Sequence, residues 1–202
     1  MQRTWTDLIK NNFNKAAQNY NASAEIQQNT AIKLGEICSQ YPIKHGLWVD
    51  LGSGTGLLAQ SLEALNPNQA VIRLDNSKKM IEQHSSECIK QLWDLNHGLA
   101  KWPEKPRLLA SSFVLHWLND PQKQLKKWFD NLSTDGWIAL AVPVKGSFPE
   151  WYEAASKADV ICTALNFPSY DSLLQVVPKK NISYNKVEII KHEISKNVII
   201  FS

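Results

Sequence analysis

Apolar residues recur along the chain with two periods, and the switches between them mark the elements. Leu8, Ile9, Phe13, Ala16, Ala17 and Tyr20 fall three and four apart, a helical stripe. Asn21, Ala22 and Ser23 predict a break and a new cap. Ile26, Thr30, Ile32, Leu34, Ile37 and Cys38 predict a second helix, which Pro42 and Gly46 terminate. Short apolar runs then alternate with helical patterns. Residues 47–51, 70–75, 89–95, 107–112 and 137–143 predict five strands, with helices over 57–65, 78–84 and 121–132. Further helices are predicted over 150–164 and 170–177, and residues 187–190 and 198–201 are β-type. Alternating βα units imply an α/β architecture: a doubly wound, mostly parallel sheet with right-handed crossovers. An N-terminal helical arm, residues 1–44, precedes the α/β domain, residues 45–202. The arm is expected either to lie as a lid across the ligand edge or to pack on the sheet.

The densest chemical signal is the turn after the first strand, Asp50-Leu-Gly52-Ser53-Gly54-Thr-Gly56. Strand, glycine turn and helix in succession bring backbone and unpaired helix N–H groups close to a ligand. A dinucleotide fingerprint would read G-x-G-x-x-G, and here Leu57 stands where its third Gly would be. Asp50 would repel a pyrophosphate and suits the cationic amino acid end of S-adenosylmethionine. Another nucleotide, or a purely structural turn, are the alternatives. Asp75 closes the second strand 23 residues after Gly52, close to the spacing of a ribose-binding carboxylate. Asp94 suits the exocyclic amine of adenine, or is an ordinary N-cap. Met80 suits the adenine face, or is plain core. Ser53, Asn76, Leu95 and Ser111 complete the predicted cofactor set by position.

Composition narrows the class. With 202 residues, 44% hydrophobic and 20% charged, the chain suits one globular domain. The net charge of +3 comes without a long Lys/Arg run, so nothing demands nucleic acid. Lys123, Lys126 and Lys127 form the densest basic group, read as a solvated helix face or a docking patch for an acidic partner. Three isolated cysteines favour a reducing compartment over disulfides or zinc, and the histidines have no metal-ligand spacing. No apolar leader and no stretch of roughly 18 apolar residues is seen, so no membrane segment is expected. The cytoplasm is the default expectation.

The glycine turn, the Asp75 acid and the Gly136 turn before the fifth strand resemble class I S-adenosylmethionine-dependent methyltransferases, over roughly residues 46–143. That resemblance implies a Rossmann-like sheet. The flanks are similar to the malonyl-acyl carrier protein O-methyltransferases of biotin synthesis. The matching stretches are Phe13-Asn-Lys-Ala-Ala-Gln-Asn-Tyr20, Ser111-Ser-Phe-Val-Leu-His-Trp117 and Val144-Lys-Gly-Ser-Phe-Pro-Glu-Trp151. The resemblance implies methylation of the free carboxylate of a malonyl group on acyl carrier protein. It departs from that family at Ser112 and His116, where an amide and Gln are usual. The C-terminal part is short relative to it, so the last antiparallel strand is expected to be lost or supplied by the β-type tail. A carboxylate acceptor is already ionised at neutral pH, so no general base is required. His116, Tyr20 and Lys145 are the candidates to hold it. For each the bland alternative is a buried histidine, a core tyrosine or a solvated loop lysine. Methylation of another small molecule, or cofactor binding without activity, are the rival functions.

Overall fold

The computed structural model describes residues 4–163, 165–176, 188–190 and 198–201. Three helices precede the sheet: α1 (Trp5–Ala16), α2 (Tyr20–Ser23) and α3 (Glu25–Ser39). Then come β1 (Trp48–Leu51), α4 (Leu57–Leu65), β2 (Val71–Asp75), α5 (Lys78–Ile81), β3 (Lys90–Leu92) and β4 (Leu108–Ser112). The chain continues through α6 (Pro121–Asp130), β5 (Trp137–Ala141), α7 (Pro149–Lys157), α8 (Tyr170–Leu174), β6 (Glu188–Ile190) and β7 (Val198–Phe201). Among the described residues seven strands pair in the order β3-β2-β1-β4-β5-β7-β6. The first five are parallel, and β7 runs antiparallel between β5 and β6. The doubly wound sheet expected from the sequence is present. The tail segments supply the antiparallel strand.

Strand residues alternate between two cores, one on each face of the sheet. Val49, Leu51, Leu74, Leu109, Ile138 and Leu140 meet Leu125 and Trp128 of α6. Trp48, Val71, Leu108, Ala110 and Ala139 meet α3 and α4 through Leu34, Ile37, Leu58 and Leu62. Each fully buried aliphatic side chain contributes about 1.5–3 kcal/mol. On the second face two helices approach closely. Gly35 of α3 lies against Ser61 of α4, where a Cβ would overlap the serine hydroxyl. That approach presses the arm onto the first crossover helix.

Several boundaries differ from the sequence reading. The arm bends at residues 17–19, and Asn21–Ser23 is itself helical. Ala17 and Ala24 are buried, and Thr55 Oγ1 donates to Asn21 Oδ1 at 2.7 Å, so tertiary contacts override the local break signal. β3 stops at Leu92, leaving Asp94 to cap a 3-10 turn over Leu95–His97. α7 stops at Lys157 and not at 164. Asp159 takes a left-handed φ of 51°, and the β-branched Val160 and Ile161 beyond it are exposed.

Candidate active site

The carboxyl ends of β1, β2 and β4 converge with the arm. After β1 the backbone turns through Gly52, Gly54 and Gly56, all at positive φ. They do different work. A Cβ on Gly52 would overlap Val114, and one on Gly56 would lie 2.9 Å from the His84 ring. A Cβ on Gly54 would meet no protein atom within 4 Å. Gly54 therefore borders open space, while its peptide groups are fixed from two sides. Its N–H donates to Asp75 Oδ2 at 2.8 Å, and its carbonyl accepts from His84 Nε2 at 2.8 Å. Asp75 Oδ1 accepts from the Ser77 N–H at 2.7 Å. Burial raises the Asp75 pKa, opposed by the N–H donors of Ser77, Gly54 and Asn76.

Two cavities meet at this turn. The larger, about 690 Å³ with part of it open to solvent, runs from Asp75, Met80 and Asp94 to Ile9, Phe13 and Trp117. The smaller, about 360 Å³, lies between the glycine turn and α3, reaching Gln27 and Ala31. Its wall includes Leu57 and Leu58, the first residues of α4, where backbone N–H groups lack intrahelical partners. Tyr20, Gly52, Gly54 and Ser112 line both. Phe113, after β4, holds φ 57°, rare for an aromatic residue. Its N–H donates to the Ala141 carbonyl at 2.8 Å, which anchors the strained turn. The Ser112 hydroxyl is buried without a partner among the described residues.

Asp50 sits beside the smaller cavity at 1% exposure, and Ala59 N–H donates to its Oδ2 at 3.1 Å. Burial pushes its pKa up to about 7, against the lowering effects of the Ala59 hydrogen bond and Arg73. Arg73 is itself buried and paired with Glu63 at 2.6 Å.

Residues 49–138 match the family model described as a methyltransferase domain. The same span holds the glycine turn, Asp75 and Asp94. Over those residues the chain carries a methyltransferase domain, on the fold of the class I S-adenosylmethionine-dependent methyltransferases. S-adenosylmethionine is their cofactor, and the open space at Gly54, ringed by Asp75 and Asp94, suits an adenosyl group bearing a cationic amino acid. This chain is 32% identical over 133 residues to trans-aconitate 2-methyltransferase of Mycobacterium tuberculosis, covering 64% of this chain and 47% of that protein. It is 29% identical over 168 residues to malonyl-[acyl-carrier protein] O-methyltransferase of Dechloromonas aromatica, covering 83% and 63%. The chain thus spans about half the length of the first of these relatives and under two thirds of the second. Among solved structures, the DhpI-SAM-HEP complex superposes with a TM-score of 0.67 at 13% identity, covering 100% of this chain and 98% of that one. The plantazolicin methyltransferase BpumL with SAH gives 0.66 at 14% identity, covering 89% and 74%. At those identities the likeness is one of fold.

The two cavities bring together most of the residues expected from sequence. Gly52, Gly54, Asp75, Asn76, Met80, Asp94 and Leu95 line the larger; Asp50 and Ser53 line the smaller. Tyr20 borders both, and its pKa is raised by burial and then by the Asp75 charge. Four of the expected residues lie outside both cavities. Ser111 lines neither cavity: its hydroxyl donates to the Leu51 carbonyl at 2.8 Å, and Ser112 takes the ligand edge. Gly56 serves the packing of His84 and lines neither cavity. His116 lies behind the wall among Phe113, Trp117 and Phe167, its pKa pushed down to about 3 by burial. Lys145 is exposed on the loop after β5 and lines neither cavity. The sequence reading missed Ile9, Gln27, Trp93 and Trp117. The apolar run after Ser112 was a usable signal, because a strand end that stays apolar past its last residue lines something. Among the described residues no His/Cys/Asp/Glu group could hold a metal, and no helix is long and apolar enough to cross a membrane.

Proposed function

We propose that this methyltransferase esterifies a carboxylate, and that the acceptor is the free carboxylate of a malonyl group carried on acyl carrier protein. Asp75, Asn76, Met80, Asp94 and Leu95 would hold the adenosyl end, with Asp50 and Ser53 at the amino acid end. Bound S-adenosylmethionine supplies an electrophilic methyl on a sulfonium. The acceptor oxygen contributes its lone pair, the methyl–sulfur pair returns to sulfur, and the products are a methyl ester and S-adenosylhomocysteine. The observation that carries the reading is the chemistry of the larger cavity. Among the described residues that line it there is no lysine, arginine or histidine, and its only ionisable groups are Tyr20, Asp75 and Asp94. An alcohol acceptor would need a free base, and both carboxylates are engaged, Asp75 by the N–H groups of Gly54 and Ser77 and Asp94 by Asn96. A carboxylate needs only positioning and exclusion of water. The hydroxyls of Tyr20 and Ser112, where the cavities meet, are the donors suited to hold it.

The similarity to trans-aconitate 2-methyltransferase supports a second reading, a free polycarboxylate. A wall without cations favours the acceptor with one ionised carboxylate over one with three, since each buried unpaired charge is costly. Mass spectrometry after incubation with malonyl-acyl carrier protein and, separately, trans-aconitate separates the two. We expect a mass gain of one methyl group on the carrier. Methylation of trans-aconitate alone would replace the first reading by the second, and methylation of neither would overturn both. Tyr20→Phe and Ser112→Ala should each lower kcat/KM by roughly 10- to 100-fold, the worth of one hydrogen bond to a charged group.

A further inference from the structure

We propose that His84 is a positioning residue for the cofactor, acting through the glycine turn as a neutral imidazole with its proton on Nε2. The ring lies 28 residues beyond Gly56 in sequence and lines neither cavity. Its Nε2 is 2.8 Å from the Gly54 carbonyl oxygen. A carbonyl only accepts, so Nε2 carries the proton. The other nitrogen, Nδ1, is buried without a partner among the described residues. A Cβ on Gly56 would lie 2.9 Å from both Nδ1 and Cε1, so the bare glycine at φ 95° gives the ring its place. The main chain of His84 is anchored in turn, because Lys90 Nζ donates to its carbonyl at 3.0 Å.

Gly54 is the residue that borders open space, and Asp75 already holds its N–H. His84 holds the other end of the same residue, so the tilt of the following peptide depends on the ring. The groups facing the imidazole are Arg73 from β2, Lys90 from β3 and Glu63 from α4. Burial and the two cations disfavour a second proton, while the Gly54 hydrogen bond and Glu63 favour it. A proton on Nδ1 would place a buried donor without an acceptor beside Arg73.

The test measures S-adenosylhomocysteine affinity by calorimetry from pH 5 to 8 for wild type, His84→Gln and His84→Leu. A glutamine amide can donate to the Gly54 carbonyl but cannot ionise, whereas leucine leaves that carbonyl unpaired. We expect His84→Gln to bind like wild type at pH 8, and His84→Leu to bind roughly tenfold more weakly. Asp50 titrates in all three proteins, so the ratio of wild type to His84→Gln isolates the histidine. That ratio should fall as the pH drops below the ordinary histidine range. Equal affinity for wild type and His84→Leu would overturn the proposal. Should His84→Leu fail to fold, nitrogen chemical shifts of labelled histidine in the wild type decide. The Nε2-protonated neutral tautomer at pH 7, perturbed by ligand, supports positioning. An ordinary titration unaffected by ligand refutes it.

Discussion

Asp50, which we propose faces the cationic end of the cofactor, is a carboxylate that the fold buries at a cost. Its carboxyl is buried and its folded pKa, about 7, lies above the unfolded value near 3.9. The folded state therefore binds the extra proton between those values. This favours folding below the unfolded pKa, and the advantage is lost as pH rises toward 7. Asp50→Asn keeps an acceptor for the Ala59 N–H and removes the charge. Thermal melting without ligand should place the variant above wild type at pH 8, with the gap closing toward pH 5. Its affinity for S-adenosylmethionine should drop by roughly 1–3 kcal/mol, because the carboxylate no longer faces a cation. Unchanged melting at pH 8 would show that the buried carboxylate is stabilised by groups other than Arg73. The serine pair makes a different point about what a sequence discloses. Ser111 and Ser112 are adjacent in a strand, so one faces the sheet interior and the other the ligand edge. Two identical residues carry no information about the phase; only the 2.8 Å bond from Ser111 to Leu51 resolves it.

Among the elements, β1, the glycine turn and α4 were the most legible, with α4 running over Leu57–Leu65 as the periodicity predicts. Their signal is local: an apolar run, three glycines and a 3.6-residue stripe within one stretch of chain. The arm was less legible because its bend is set by partners far away, Thr55 on Asn21 and Ser77 on Asn14. The amphipathic face of α1 was readable, but its target was not. In the structure Ile9 and Phe13 border the larger cavity, and Phe13 stands edge-on to Trp117 at 5.9 Å. The lid role remains our proposal, and hydrogen exchange tests it. Amides of residues 9–20 should slow on adding S-adenosylhomocysteine. If the glycine turn gains protection while the arm does not, the arm only packs.

For the molecule as a whole, the mostly parallel doubly wound sheet followed from the alternation of βα units, while the strand order came only with the structure. The site followed less completely, because pockets are made by elements that never touch in sequence: Gln27 from α3, Trp93 after β3 and Trp117 after β4. The arm's seat across the joined cavities also has a kinetic consequence. Asn14 Oδ1 accepts from the Ser77 hydroxyl and the Lys79 N–H, pinning α1 beside Asn76 and Met80. If the arm is the lid we propose, a spent cofactor would leave as those bonds and the Phe13–Trp117 contact part. Egress, and not bond making, would then set the turnover rate. Rapid-mixing experiments should show a burst of methylated product equal to the enzyme concentration, followed by a slower steady phase. Asn14→Ala should speed that slow phase and leave the burst rate untouched.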